Sequence, residues 1–369
     1  MKRINLLFKP ASSLCNMRCR YCFYHDISAD RDIPSYGIML PETQDKTLDN
    51  VFSCLEPGDE ITIGFQGGEP ALAGLQWFRD FAEKVRALKG GVKVSYTFQT
   101  NGTLLDESWC DFFKEHNFLV GLSIDGGKRF HDQNRLTNSG EPTFEKCMKA
   151  KELFLKMQVE YNILCVLTND LAREPEKVWR FILHEHIRFI QFIPCLADLG
   201  SRDEKTPLRP ALFAQFYTRL LALWIREFEK GNYISVKLFD DTVNYFYKGM
   251  RTSCGIDGKC QNQFVIEADA SVYPCDFYCS DEYRIGNLMT HNIRELFDNQ
   301  EALGFLNEKP ELSEICETCR HVTKCQGGCK RMQGIMYALR GDPICGYGSF
   351  LEKCLGPLVH TVQRALVKK

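Results

Sequence analysis

The sequence has little that would tie it to a membrane or to nucleic acid. No apolar run approaches the roughly 18 residues that a membrane-spanning helix needs. Lys and Arg number 46 against 48 Asp and Glu, for a formal net charge of −2. That balance argues against a polybasic surface as the main theme, and so against nucleic acid as the partner. The first residues, Met1 to Pro10, begin with basic side chains but hold only a broken apolar stretch, shorter than a secretory signal requires. There is no internal repeat and no low-complexity segment, so neither a solenoid nor a solvated tail is expected.

Cysteine is what the sequence has in excess, with 18 in 369 residues. A disulfide scaffold is the plain explanation, but such scaffolds are usually short. At 44% hydrophobic residues this chain can bury an ordinary core. Without an export signal the expected location is the cytoplasm. There thiols stay reduced, and clustered cysteines serve metal binding or catalysis. The length suits two domains.

Up to about residue 235 the chain alternates β-type runs with amphipathic stretches. Candidate strands are Ile4–Phe8, Ile61–Phe65, Lys93–Gln99, Phe118–Ile124, Val159–Leu167 and Phe189–Pro194. Candidate helices between them are Gln44–Leu55, Leu75–Leu88, Glu107–His116, Phe144–Lys156 and Glu174–Glu185, with a further one at about Pro210–Lys230. Alternation of this kind predicts an α/β domain with a parallel sheet, as a partial barrel or an open sheet. Ligands would then sit at the carboxyl ends of the strands. After Lys237 the periodicity weakens and Cys, Gly and short polar turns dominate. Bound metal would replace part of the missing apolar core there. The expected division is therefore 1–235 and 236–369.

The first strand runs into Cys15-Asn-Met-Arg-Cys19-Arg-Tyr-Cys22. A loop with this C-x3-C-x2-C spacing can wrap one inorganic centre. Three thiolates on a [4Fe–4S] cluster leave one iron open, whereas structural zinc wants four ligands. A zinc knuckle completed by His25 is the alternative. The second strand ends in Gly64-Phe-Gln-Gly-Gly-Glu-Pro70, where glycines allow close backbone approach to a ligand. Near the C-terminus Cys316, Cys319, Cys325 and Cys329 follow a C-x2-C-x5-C-x3-C spacing, and Cys254, Cys260, Cys275 and Cys345 flank them. These eight thiolates would saturate two [4Fe–4S] clusters, or two zinc sites. A saturated cluster has no vacant iron and suits electron transfer. The other cysteines, Cys54, Cys110, Cys147, Cys165, Cys195, Cys279 and Cys354, are expected to be small buried hydrophobes.

With Tyr21 before its last cysteine, the first motif resembles the signature of the radical S-adenosylmethionine enzymes, and the Gly-Gly-Glu-Pro run resembles a second motif of that superfamily. The resemblance implies a partial (β/α)6 TIM-type barrel. It also implies that Tyr21, Gly68, Ser123, Arg135 and Leu196 contact S-adenosylmethionine. For Arg135 the bland alternative is a solvated surface arginine. The C-terminal cysteines resemble the SPASM extension, an iron–sulfur domain with two auxiliary [4Fe–4S] clusters. By that resemblance Cys254, Cys260, Cys275 and Cys329 hold one cluster, and Cys316, Cys319, Cys325 and Cys345 the other.

Asp276 stands beside Cys275. On its own it reads as a solvent-facing aspartate or one that accepts backbone N–H bonds. Pro-Ala-Ser-Ser at 10–13, Cys22-Phe-Tyr-His25, Ser35-Tyr-Gly-Ile-Met39, Gln99-Thr-Asn-Gly-Thr103 and Asp106-Glu-Ser-Trp109 add a resemblance to the anaerobic sulfatase-maturating enzymes. In that family the matching aspartate is the base, and Gln66 matches a substrate-contacting position. The reaction so implied is oxidation of a Cys or Ser in an unfolded or nascent sulfatase to Cα-formylglycine. It would need S-adenosylmethionine, three [4Fe–4S] clusters and a low-potential donor such as ferredoxin or flavodoxin, but no nucleic acid and no membrane. Another SPASM maturase, forming thioether or carbon–carbon crosslinks, is the enzymatic rival. A zinc-stabilised binding module and a plain electron carrier are the others.

Overall fold

The computed structural model describes residues 2–197, 207–261, 263–302, 304–309 and 311–367. Its strands, in chain order, are β1 (Arg3–Phe8), β2 (Glu60–Phe65), β3 (Lys93–Thr100), β4 (Phe118–Ser123), β5 (Tyr161–Leu167), β6 (Phe189–Pro194), β7 (Ser235–Val236), β8 (Phe264–Ile266), β9 (Ser271–Tyr273) and β10 (Gly286–Asn287). The six expected strands all form, and helices alternate with them. This is a mixed α/β fold dominated by parallel pairing.

Two compact units interleave along the sequence. The first comprises Met1–Ser123, Asp132–Tyr161 and Asn262–Asn307; the second comprises Ile124–His131, Asn162–Gln261 and Glu308–Lys369.

In the first unit β1, β2, β3 and β4 are parallel neighbours in that order. Along β1, β2 and β4 buried apolar residues recur at every second position, as a strand with one packed face requires. Leu6, Phe8, Ile61, Ile63, Phe65, Val120 and Leu122 are all buried. The Leu75–Leu88 helix turns Trp77, Phe78, Phe81, Ala82 and Val85 inward, a stripe set by the helical repeat. Phe78 and Phe81 each meet the Phe65 ring edge-on at 5.0 Å, a favoured aromatic geometry. The Glu107–Glu115 helix starts where the Asp106 carboxylate accepts the N–H groups of Ser108 and Trp109, satisfying donors that the first turn leaves open.

The feature that positions the site lies on the other side of β1. There β8 pairs parallel with it, Phe8 opposite Ile266, and β9 and β10 follow antiparallel. Lys9 N donates to Ile266 O at 2.8 Å and Gln66 N to Phe8 O at 3.0 Å. Lys9, Gln66 and Glu267 thus stand just past the carboxyl ends of three adjacent parallel strands. Strands of two or three residues show no periodicity, which is why none of these was expected. A helix at Phe23–Ala29, directly after Cys22, was also not expected.

In the second unit β5, β6 and β7 are parallel. The Pro210–Glu229 helix, expected at almost those bounds, packs along the Gly346–Val367 helix. Tyr217 meets both Phe239 and Phe350 there, with ring centroids 6.0 and 5.8 Å away. Gly346 permits the approach, because a Cβ on it would lie 2.5 Å from Pro210 O. Cys110, Cys147, Cys165, Cys195, Cys279 and Cys354 are buried, as small hydrophobes should be; Cys54 is only partly so.

Candidate functional site

The loop after β1 carries Cys15, Cys19 and Cys22, all partly buried. Its shape is fixed by neighbouring loops. Asn16 is held by side chains from the segment after β3: Asn101 Nδ2 donates to Asn16 Oδ1 at 2.9 Å, and Asn16 Nδ2 donates to Thr103 Oγ1 at 2.8 Å. Thr103 Oγ1 in turn donates to Asn101 Oδ1 at 2.7 Å, closing a ring. The loop after β2 is tied in by Glu69 N, which donates to Leu14 O at 2.8 Å. Gly68, just before it, has φ +53°, and a Cβ there would lie 2.1 Å from Leu14 O. Only glycine fits so close an approach in that conformation.

The Glu69 carboxylate accepts Ala71 N at 3.1 Å, Thr100 Oγ1 at 2.8 Å and Asn101 N at 2.8 Å. Burial pushes it up to about 7 despite those three bonds. Burial likewise pushes the Cys15 thiol up to about 12. A bound metal centre would draw it to the thiolate. Met17 N donates to Cys15 Sγ at 3.4 Å. The donor set of this loop, three thiolates with a backbone N–H to sulfur and no carboxylate among them, suits an iron–sulfur cluster.

Of the expected cofactor contacts, Tyr21 and Arg135 lie together, with the Arg135 guanidinium 5.6 Å from the Tyr21 ring centroid. Arg135 is buried, not solvated. Its chain segment runs beside the cysteine loop: Arg18 N donates to Leu136 O and Arg20 N to Asn134 O, at 2.8 and 3.0 Å. Ser123 ends β4 and is buried. Leu196 is buried just past β6, in the second unit.

Asp276 opens the short 3-10 turn Asp276–Tyr278. It is 6% exposed, so it is not solvent-facing, and among the described residues its carboxylate accepts from side chains and from no backbone N–H. Two side chains fix one of its oxygens. Tyr24 Oη donates to Oδ2, and Gln66 Nε2 donates to the same atom at 2.8 Å. Gln66 Nε2 also donates to Tyr24 Oη at 2.6 Å, so its amide hydrogens are committed to this cluster. Oδ1 is buried and has no hydrogen-bond partner among the described residues. Burial pushes the carboxyl up to about 6 from 3.8, against the pull of Lys9 and of the Tyr24 hydrogen bond.

Behind this carboxylate lies an ion cluster that sequence reasoning missed. Lys9 Nζ and Arg31 Nη1 both reach Glu267 Oε1, at 2.6 and 2.7 Å, and all three side chains are buried. Burial disfavours the Glu267 carboxylate, but Lys9 and Arg31 outweigh it and hold the group down at about 2. Lys9 Nζ also lies 4.8 Å from the Tyr24 ring centroid. The one sequence signal was Glu267 itself, an acid continuing the apolar run Phe264–Ile266. A buried acid demands a partner.

In the second unit Cys316, Cys319, Cys325 and Cys345 line a single cavity, with Gly327, Tyr337 and Gly348. Gly348 N donates to Cys345 Sγ at 3.3 Å. Cys254, Cys260 and Cys329 share that unit. Burial pushes the Cys329 thiol up to about 11, and Cys254 and Cys260 add to the rise. A Cβ on Gly255 would lie 2.7 Å from Cys329 Cβ, so the two cysteine segments pack closely. Cys275, beside Asp276, belongs to the first unit.

Comparison with known proteins adds a family. A profile of the radical SAM superfamily matches residues 10–182, and one of an iron–sulfur cluster-binding domain matches residues 254–320. The chain is 42% identical over 334 residues to a cysteine-type anaerobic sulfatase-maturating enzyme of Clostridium perfringens strain 13, covering 90% of each. It is 37% identical over 369 residues to a cysteine-type anaerobic sulfatase-maturating enzyme of Clostridium novyi, covering 98% of each. A solved structure described as native anSMEcpe with bound AdoMet and Cp18Cys peptide superposes with a TM-score of 0.89 at 37% identity, covering 98% of this chain and 99% of that one.

Proposed function

This chain belongs to the anaerobic sulfatase-maturating enzymes of the radical S-adenosylmethionine superfamily, and from that membership we propose that it oxidises a cysteine of an unfolded or nascent sulfatase to Cα-formylglycine. The cysteine-type relatives support cysteine as the target. Residues 1–235 form the radical domain in this reading, and 236–369 the SPASM domain. Cys15, Cys19 and Cys22 hold the cluster with the open iron. Cys254, Cys260, Cys275 and Cys329 hold one auxiliary cluster; Cys316, Cys319, Cys325 and Cys345 hold the other. Tyr21, Gly68, Ser123, Arg135 and Leu196 bind S-adenosylmethionine. A reduced low-potential protein of the ferredoxin or flavodoxin kind supplies electrons, in the cytoplasm. Among the described residues no helix is long and apolar enough to cross a membrane.

Bound together, the cluster and S-adenosylmethionine supply one-electron chemistry that removes a hydrogen from the target carbon. The chain's own residues handle the proton. Asp276 takes the proton from the target sulfur as a general base, and the auxiliary clusters, when bound, would accept the one electron then left on the substrate. The observation that carries this role is the buried Oδ1, an acceptor with no partner among the described residues, while Tyr24 and Gln66 hold the other oxygen. Gln66 therefore orients the base through its amide nitrogen, and a contact with the peptide falls to its carbonyl oxygen.

The test is anaerobic incubation with S-adenosylmethionine, a reductant and a Cys-x-Pro-x-Arg peptide, read by mass spectrometry. The expected product is lighter by about 18 Da, the exchange of thiol for aldehyde after hydrolysis. A crosslinked product would overturn the reaction type. Faster turnover of the serine peptide, with loss of two hydrogens, would overturn the target.

A further inference from the structure

We infer that Arg31 is a positioning residue for the oxidation step: its guanidinium clamps the turn that carries Asp276 and so sets where the unpartnered carboxylate oxygen points. This rests on the reading of Asp276 as base.

Arg31 follows the Phe23–Ala29 helix, and its side chain is 1% exposed. It makes three contacts from one planar group. Nη1 donates to Glu267 Oε1 at 2.7 Å, Nε donates to the Cys279 carbonyl, and the guanidinium carbon lies 5.3 Å from the Tyr273 ring centroid. Tyr273 stands three residues before Asp276 and Cys279 three after. One side chain therefore touches both ends of the segment that presents the base. Within that segment Tyr278 N donates to Cys275 O at 3.0 Å and Cys279 Sγ donates to the same oxygen at 3.5 Å, so its internal bonds converge on Cys275 while Arg31 reaches its two ends.

The far side of the clamp is rigid. Glu267 follows β8 directly, and Lys9 follows β1, its strand neighbour. Lys9 grips the same Glu267 oxygen at 2.6 Å. Lys9 and Arg31 are two buried cations facing the Glu267 and Asp276 carboxylates, a balance that a lysine at position 31 would keep. What Arg31 adds is shape: a planar fork that serves a carboxylate and a carbonyl and also lies on an aromatic face. An ammonium group is a point charge with no such face.

The experiment uses the full chain, purified and reconstituted without oxygen. Formylglycine and deoxyadenosine are followed in parallel with the motif peptide for Arg31→Lys and, beside it, Asp276→Asn. Arg31→Lys retains the buried charge. It should keep the parental iron content and the parental cluster spectrum with S-adenosylmethionine, with KM for the peptide within about twofold. Its formylglycine kcat should fall about ten- to a hundredfold, the scale of a misplacement near 1 Å. The deoxyadenosine-to-formylglycine ratio should rise by a like factor, since cofactor cleavage does not need the base. A parental kcat and ratio overturn the clamp. So does a proportionate loss of both products together with iron, which is what a purely structural arginine gives. If Arg31→Lys does not fold, Tyr273→Leu keeps the ion pairs and removes the ring beneath the guanidinium. A raised ratio in it supports the clamp and an unchanged ratio overturns it. Full activity in Asp276→Asn refutes the base itself. An inactive Asp276→Asn beside a fully active Arg31→Lys refutes only the clamp.

Discussion

Replacing Asp276 with asparagine separates the proton acceptor from the scaffold around it. The amide is nearly the shape of the carboxylate. Its oxygen can take the Oδ2 position, where it still accepts from Tyr24 Oη and from Gln66 Nε2 at 2.8 Å. The NH2 group then falls at the Oδ1 position, which has no protein partner among the described residues to clash with. The fold should therefore survive. Burial lifts the carboxyl to about 6 from 3.8. An acid with a raised value costs stability as pH rises through that window, so at pH 7.5 the neutral amide relieves a penalty and removes no support. What is lost is the carboxylate proposed as the base. General-base assistance is worth roughly 10²- to 10⁴-fold, or about 3–5 kcal/mol of barrier. Asp276→Asn should lower formylglycine formation by that factor, leave iron and sulfide at parental content, and unfold at no lower urea concentration than the parent. Anaerobic turnover assays and urea melts check it. More than a tenth of the parental rate with intact clusters would refute the assignment.

Other expectations follow from the loops around the cysteines. Gly68→Ala places a methyl group 2.1 Å from Leu14 O at φ +53°; it should weaken S-adenosylmethionine binding at least about tenfold through loop displacement, and an unchanged dissociation constant by equilibrium dialysis would contradict it. Asn16→Asp keeps the acceptor for Asn101 but sets an oxygen against Thr103 Oγ1, whose proton is committed to Asn101 Oδ1. The lost bond should cost about 1–3 kcal/mol and speed iron release to a chelator; parental release kinetics would count against the latch. Exchanging Cys15, Cys19 and Cys22 together for alanine should abolish deoxyadenosine formation while about eight irons per chain remain. Persistent deoxyadenosine, or protein with no iron, would contradict the ligand assignment.

The six longer strands and the helices between them were legible because burial on a repeat of two or of 3.6 residues leaves a pattern in the sequence. The cysteine loop was legible as a motif too, because its three thiols fall within one run of eight residues, Cys15 to Cys22. The cluster behind Asp276 was not. Lys9 reads as a solvated cation ending a strand, Arg31 as one charge in a polar run, and Tyr24 as part of a motif without a role. They meet Glu267 and Asp276 only through the pairing of Phe8 with Ile266, a contact between residues 258 positions apart made by a three-residue strand. No spacing rule reaches that far. Gln66 shows a subtler gap. Its place just past the end of the second strand was legible, but the commitment of its amide to Tyr24 and Asp276 depends on a rotamer.

The pairing of β8 with β1 also bears on how the protein is made. While the ribosome is still adding the middle of the chain, β1 has a neighbour available on one side only. Its other border is a row of open amide and carbonyl groups, the kind of template on which separate chains stick together. That border closes once Phe264 to Ile266 have emerged. Synthesis halted short of them should yield insoluble material, and extending the chain past Ile266 should restore solubility. The same step that protects the nascent sheet brings the segment bearing Asp276 to the ends of β1 and β2.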